Sequence, residues 1–322
     1  MSARARAAGL AAGFLADRLL GDPARFHPVA GFGVLAGQLE RVLHADSRPR
    51  GAAYALVLVG GATSLGAILG HATRRRPVAE VLVTGVATWA VLGGRSLERE
   101  AAAVGAFLVA EDLPGARRRL THLVGRDTTE LDEAGVARAV IESVAENTSD
   151  AVVAPLVWGG IAGPAGLLCH RATNTLDAMV GHHNERYESF GWASARLDDV
   201  LNVPGSRLSA ALATMCAPLV DGSTSRAVRA WRHDAPSHPS PNAGPVESAF
   251  AGALGIRLGG TNTYYGVRTE HRPGMGGGPA PVADDIDRST RLARLVGFGA
   301  VAVSALLPIL GQPSLLQRRR RR

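Results

Sequence analysis

Arg138, Glu142, Glu146 and Asp150 recur at four-residue intervals, which stacks them on one face of a helix while Ile141, Val144 and Ala145 turn elsewhere. Carboxylates one turn apart repel unless a guanidinium, a metal ion or a proton relieves them. Arg138 can do so for Glu142, but Glu146 is left between Glu142 and Asp150. The group is therefore a candidate Mg²⁺ site, because Mg²⁺ is held by one or two carboxylates together with substrate phosphates. Asn147, Thr148 and Ser149 add oxygen ligands at the same helix end. A solvated acidic face is the plainer alternative.

Three further constellations carry polar groups among apolar neighbours. In HRATNTLDAMVGHHNERYESFGW, Asn174 and Asp177 share a helix face and Gly181 reads as the C-terminal stop. His182, His183, Asn184, Glu185 and Arg186 then fall in a loop. Adjacent histidines without a HExxH or CxxC pattern do not make a zinc site, and none is expected. In ARLDDVLN, Asp198 and Asn202 share a face and Arg196 can pair with Asp199. In SPNAGPVESAFAGALGIRLGGTNTYYG, Asn242 and Gly244 read as a turn before a helix with Glu247 in its first turn. The stretch GIRLGGTNTYYG reads as a glycine-bearing loop, without the spacing of a P-loop or Rossmann fingerprint. GDPARFHPVAGFG, near the start, reads as a turn bearing Asp22, Arg25 and His27.

Composition narrows the chemistry. Every one of the 35 basic residues is arginine. A lysine Schiff base and a P-loop lysine are excluded, so phosphate must be met by Arg, backbone amides, helix N-termini or a metal. The net charge of +7 comes with only 5% aromatic residues and no basic patch interleaved with them, so no nucleic-acid partner is expected. Cys169 and Cys216 stand far apart in apolar runs and form no CxxC pair.

The elements that must position these groups read as an all-α, polytopic membrane helical bundle forming one domain over 1–322. Residues 52–70, 78–94 and 295–312 are apolar enough to span a bilayer, and 7–20, 151–169 and 208–220 are weaker candidates. The first of the weaker three has a basic start, but Asp17 and Arg18 interrupt it, so an uncleaved helix is expected. Residues 95–150 and 221–290 form polar helical sections outside the membrane. The uncharged run 151–169 contains Pro155, Pro164 and four glycines, which points to a broken or re-entrant helix lining a protein-enclosed cavity. The five arginines 318–322 suggest a cytoplasmic C-terminus touching anionic headgroups. Arg74, Arg75 and Arg76 ask for the same side, which conflicts with a cytoplasmic 95–150 if 78–94 crosses once.

Several of these stretches, in order, resemble one family. GDPARFHPV, VGRDT, VIESVAENTSDAVVAPL, ATNTLDAMVGHHNERYESFGWASARLDDVLNVP and SPNAGPVESAFAGALGIRLGG are similar to the adenosylcobinamide-phosphate synthase (CobD/CbiB) family of cobalamin biosynthesis. The chain departs from it at His182-His183, where an aromatic and then a basic residue are expected. The resemblance implies a multi-pass enzyme of the cell membrane. It would join adenosylcobyric acid to (R)-1-aminopropan-2-ol or its phosphate in an amide bond, using ATP and Mg²⁺. Corrinoid, amine, membrane lipids and other cobalamin-assembly membrane enzymes are the implied partners. On residue chemistry, Glu142, Glu146 and Asp177 are the candidate catalytic groups, and Glu142, Glu146 and Asp150 the candidate metal ligands. Arg126, Arg171 and Arg186 are candidates for phosphate. Asn147, Asn174, Asn184, Asp198, Asn242 and Glu247 are candidate substrate contacts. A transporter of a small polar or anionic solute, or a non-enzymatic membrane sensor, would also place polar residues beside broken membrane helices.

Overall fold

Capping side chains fix where several helices begin. The computed structural model describes residues 2–22, 27–182, 184–264 and 268–310, without the side chains of 261–264 and 268–271. Arg25, His183 and the 318–322 tail, with the expectations placed on them, lie outside the described residues. Ser2 Oγ accepts from the Ala5 amide and opens α1 (Ala3–Leu20). His27 Nδ1 accepts from the Val29 amide and opens α2 (Pro28–Leu43). Residues 28–33 are therefore helix and not the expected turn, since proline at the first helical position gives up only an amide that would be unpaired there.

Two long helices follow, α3 (Arg48–Thr73) and α4 (Pro77–Val91), and then α5 (Gly94–Val109). Asp112 and Asp132 each accept from an amide three residues on, at 2.8 and 2.7 Å, and start α6 (Leu113–Leu120) and α7 (Glu133–Thr148). The Asp132 cap is the one expected. A π-helical turn (Ser149–Val153) leads into α8 (Ala154–Ala162). Gly163, at φ +63°, ends that helix, and Pro164 begins α9 (Pro164–Val180), so the 151–169 run is broken as expected. The carbonyls freed at the break are not wasted: Arg6 Nη1 donates to Ile161 at 2.9 Å and to Gly160 at 3.2 Å. The rest comprises α10 (Trp192–Cys216), α11 (Thr224–His233), α12 (Ala243–Leu254), β1 (Leu258–Tyr264), β2 (Arg268–Met275) and α13 (Ala283–Leu310).

The fold is all-α apart from one antiparallel hairpin among the described residues. There β1 and β2 pair with Leu258 opposite Met275 and Gly260 opposite Arg272, with a bulge between Leu258 and Gly260. The stretch expected as a glycine-bearing loop is thus largely strand; Thr and Tyr between 261 and 264 favour extended backbone. Arg48–Thr73, Pro77–Val109 and Ala283–Leu310 are long and apolar enough to cross a membrane, and we read the chain as a membrane protein. The third begins well before the expected 295.

Contacts divide the chain into two units. The first takes the described parts of 1–92, 155–200 and 301–310. Its core is Tyr54, Leu58 and Val59 of α3 against Ala172, Leu176 and Val180 of α9, with Ala36 and Phe190. Here α1 crosses α4 on a Gly-x-x-x-Gly pair: a Cβ on Gly9 would meet Thr84, and one on Gly13 would meet the Gly85 carbonyl and Thr88. The second unit takes 93–154 and 201–300. Every residue of α12 is buried in it, as are eleven of the sixteen residues of α7.

Gly13→Leu should therefore overpack the α1–α4 crossing and cost about 1–3 kcal/mol. Gly31→Ala, where no atom lies within 4 Å of the added carbon, should be neutral or slightly stabilising. Denaturation in detergent compares the two.

Candidate active site

The second unit places carboxylates where burial makes them costly. The α7 periodicity sets Glu142 and Glu146 one turn apart on one face, as the spacing demands. Asp150 falls in the π turn, which departs from the α-helical stacking, and it does not line the cavity that the other two share. From α12 comes Glu247, which is in the second helical turn and not the first, because Gly244 lies inside the helix. It is fully buried.

Glu142 is clamped. Arg126, from the segment between α6 and α7, donates through Nη2 to its Oε2 at 2.8 Å, and both side chains are about 5% exposed. The Gly259 amide of β1 donates to its Oε1 at 2.9 Å. Gly259 holds φ +84°, a left-handed conformation that glycine adopts without strain. The expectation that Arg138 neutralises Glu142 is corrected: Arg126 does. Ser143 Oγ donates to the Leu123 carbonyl at 3.1 Å, tying the segment that carries Arg126 to α7.

Glu247 is the contrary case. Neither oxygen accepts a hydrogen bond, and the nearest basic side chains, His238 through Nε2 and Arg272 through Nη1, stand 3.8 Å away. Burial, followed by the charges of Glu142 and Glu146, pushes its carboxyl well above the usual carboxylate range, against the pull of Arg272 and Arg126. Glu146 moves the same way, through burial first and the Glu142 charge, opposed by Arg272 and Arg126. Glu146 keeps contact with solvent while protein surrounds it on its other sides. It lines a cavity of about 130 Å³ together with Arg126, Glu142, Ser143 and Arg272. Three carboxylates thus face two guanidiniums.

The remaining expected residues are placed as follows. In the second unit, Asn147 Nδ2 donates to the Ser143 carbonyl at 2.9 Å. Asn242 is the N-cap position of α12, and its Oδ1 accepts from Arg207 at 3.1 Å. In the first unit, Arg171, Asn174 and Asp177 lie on α9, and Asn174 Nδ2 reaches Asp198 Oδ1 at 3.4 Å. Asn202 lies one turn beyond Asp198 on α10. Arg196 and Asp199 pair at 3.5 Å, as the spacing suggested. Asn184 Oδ1 accepts from the Tyr187 amide at 3.0 Å. Arg186 and the Tyr187 hydroxyl both donate to Glu40 Oε1, at 3.0 and 2.9 Å. His182 is exposed, its ring 6.5 Å from that of Tyr187. The second unit therefore gathers Arg126, Glu142, Glu146 and Glu247, while Asp177 and its neighbours belong to the first.

Sequence reading missed Arg272, His238, the Gly259 amide and Glu40. Arg272 sits in a stretch with no helical period to announce it, and a backbone amide has no signature at all. Among the described residues, no three His, Cys, Asp or Glu side chains are grouped to hold a metal ion. The donors that do fit Mg²⁺ are Glu146, open to the cavity, and Glu247, whose oxygens lack hydrogen bonds; one or two carboxylates suffice when phosphates complete the shell.

A family model described as CobD/Cbib protein matches residues 10–293, a range that includes this whole cluster. The chain belongs to the CobD/Cbib family. It is 47% identical over 309 residues to the cobalamin biosynthesis protein CobD of Mycobacterium tuberculosis, covering 96% of this chain and 97% of the relative. The protein of the same name from Chromobacterium violaceum is 46% identical over 287 residues, with 86% and 89% covered. That of Rhodobacter capsulatus is 41% identical over 288 residues, with 88% and 90% covered. No solved structure matches.

Two measurements probe the cluster in this CobD/Cbib chain. Arg126→Met leaves Glu142 buried without its cation and should cost about 3–5 kcal/mol, with much of the loss recovered when Glu142→Gln is added. The raised Glu247 carboxyl makes the folded state hold a proton that the unfolded chain gives up near 4.5, so stability should fall as pH rises above that value. Glu247→Gln should flatten that slope in chemical denaturation followed from pH 4 to 8.

Proposed function

We propose that the chain forms an amide bond between adenosylcobyric acid and (R)-1-aminopropan-2-ol or its phosphate, at the expense of ATP. Family membership supports a role in cobalamin biosynthesis. The observation that carries the finer reading is the raised, solvent-accessible Glu146 carboxylate beside Arg126 and Arg272 at the cavity.

A carboxylate does not condense with an amine, because oxide is a poor leaving group. Phosphoryl transfer from ATP to the corrinoid carboxylate would give an acyl phosphate, with Mg²⁺ shielding the phosphate charge when bound. The amine nitrogen then attacks the acyl carbon, the C–O bond to phosphate breaks, and phosphate leaves. The proton lost by nitrogen goes to Glu146, whose raised carboxyl makes it a stronger base than an ordinary carboxylate. Glu142 is a positioning residue: its bonds to Arg126 and Gly259 hold the guanidinium and the hairpin in place. Glu247, whose oxygens lack hydrogen bonds, is the residue that would contact Mg²⁺, which leaves Glu146 to accept the proton. The site faces the cytoplasm, where ATP is found, and the chain sits in the cell membrane.

Purified protein in lipid, given adenosylcobyric acid, aminopropanol phosphate and Mg-ATP, should yield the amide by mass together with ADP. Its rate should fall as pH drops, with an inflection above the usual 4.5 of a glutamate, because protonated Glu146 cannot accept the proton. Glu146→Gln should lower kcat at least 100-fold, within the range for loss of a general base, and abolish that inflection. Substrate flux into proteoliposomes without covalent product would sink the enzyme reading in favour of transport.

A further inference from the structure

Two of the three arginines first considered for phosphate are already engaged, Arg126 with Glu142 and Arg186 with Glu40. A second cavity, of about 460 Å³, lies in the second unit between α11, the end of α12 and the turn after β2. That size is ordinary for a small-molecule site. Arg226, Arg229 and His233 follow one another along one face of α11 at its rim, and Ala230 forms part of its wall. None of the three charged or titratable side chains has a hydrogen bond or ion pair to a described residue. The Arg226 guanidinium lies over Gly255 at the end of α12, where the Leu254 carbonyl is taken by Arg288 at 3.0 Å.

The rest of the lining is largely glycine. Gly276 needs its left-handed φ of +76°, and Gly278 needs to be bare because a Cβ would strike the Gly255 carbonyl. Gly277 has neither reason: its φ is not left-handed, and no atom lies within 4 Å of where a side chain would start. A bare backbone that packing does not require, lining one cavity with free cations, suits a ligand that approaches main chain closely. Asp234 Oδ2 accepts from the Gly276 amide at 2.8 Å and so anchors the glycine run. Its carboxylate also lines the cavity, which opposes an isolated anion but suits one that arrives with a divalent ion.

We infer that this cavity binds the polyphosphate of a nucleoside triphosphate, with Arg226 and Arg229 as its cations and Gly276–Gly277–Gly278 as its cradle. The inference rests on the reaction proposed above for its reason to bind ATP, and it gives that reaction a nucleotide site built without lysine. The same elements carry the carboxylate cluster: Gly252 of the cavity wall is five residues from Glu247 on α12, about 7.5 Å along the helix axis.

The test titrates Mg-ATP, inorganic triphosphate and inorganic phosphate into the full chain in phosphatidylcholine nanodiscs. Triphosphate should displace ATP, and single phosphate should do so only at far higher concentration. Gly277→Leu adds bulk to the cavity lining from a position whose Cβ would clash with nothing, so it should melt like the parent yet bind ATP at least tenfold more weakly. Arg226→Ala with Arg229→Ala should do the same. ATP affinity unchanged in both variants overturns the site, even if the amide forms. Loss of ATP binding in both variants, with no amide formed by the parent, leaves the site standing and overturns the reaction instead. If the double substitution weakens only adhesion to anionic vesicles, a headgroup surface replaces the nucleotide site.

Discussion

Charge balance at a buried carboxylate cluster is the constraint around which the second unit is built. Glu142 and Glu247 are buried, Glu146 opens to the cavity beside them, and Arg126 and Arg272 face all three. Two guanidiniums for three acids leave one negative charge over, and His238, 3.8 Å from Glu247, is the neighbouring side chain that can take up a proton. Four separate segments meet to maintain the cluster: the stretch bearing Arg126, α7, α12 and the hairpin.

The first unit is held by different means. Its helices approach on small residues, as Gly9 and Gly13 do against Thr84 and Gly85, and its Arg48–Thr73 helix is apolar enough for lipid. Its polar contacts tie loops down: Arg186 and Tyr187 fasten the segment after α9 to Glu40 on α2. Close packing holds the first unit, and charge pairing ties together the segments of the second.

Much of the helical plan was legible in the sequence, because apolar runs and caps are local signals. Asp132 announced α7, Gly181 announced the end of α9, and the Pro and Gly content of 151–169 announced the break at Gly163. The carboxylate pair Glu142 and Glu146 was legible through its four-residue spacing. Its partners were not. Arg126 is sixteen residues from Glu142 and Arg272 lies far along the chain, so only tertiary folding selects them over Arg138. Asp150 shared the spacing but lost the alignment, because a π turn cannot be read from side-chain types. The hairpin was missed since its strands are short and glycine-bearing, and their pairing depends on a neighbour that pattern alone does not name.

The Gly259 contact has a consequence for how such a site is studied. The group that reaches Glu142 there is a main-chain amide, which every residue except proline carries. Exchanging the side chain does not delete it; it only disturbs the left-handed bend that aims it. A survey that replaces side chains one at a time will register position 259 as a matter of backbone shape. Half of the grip on the most enclosed carboxylate of α7 would pass unseen in it.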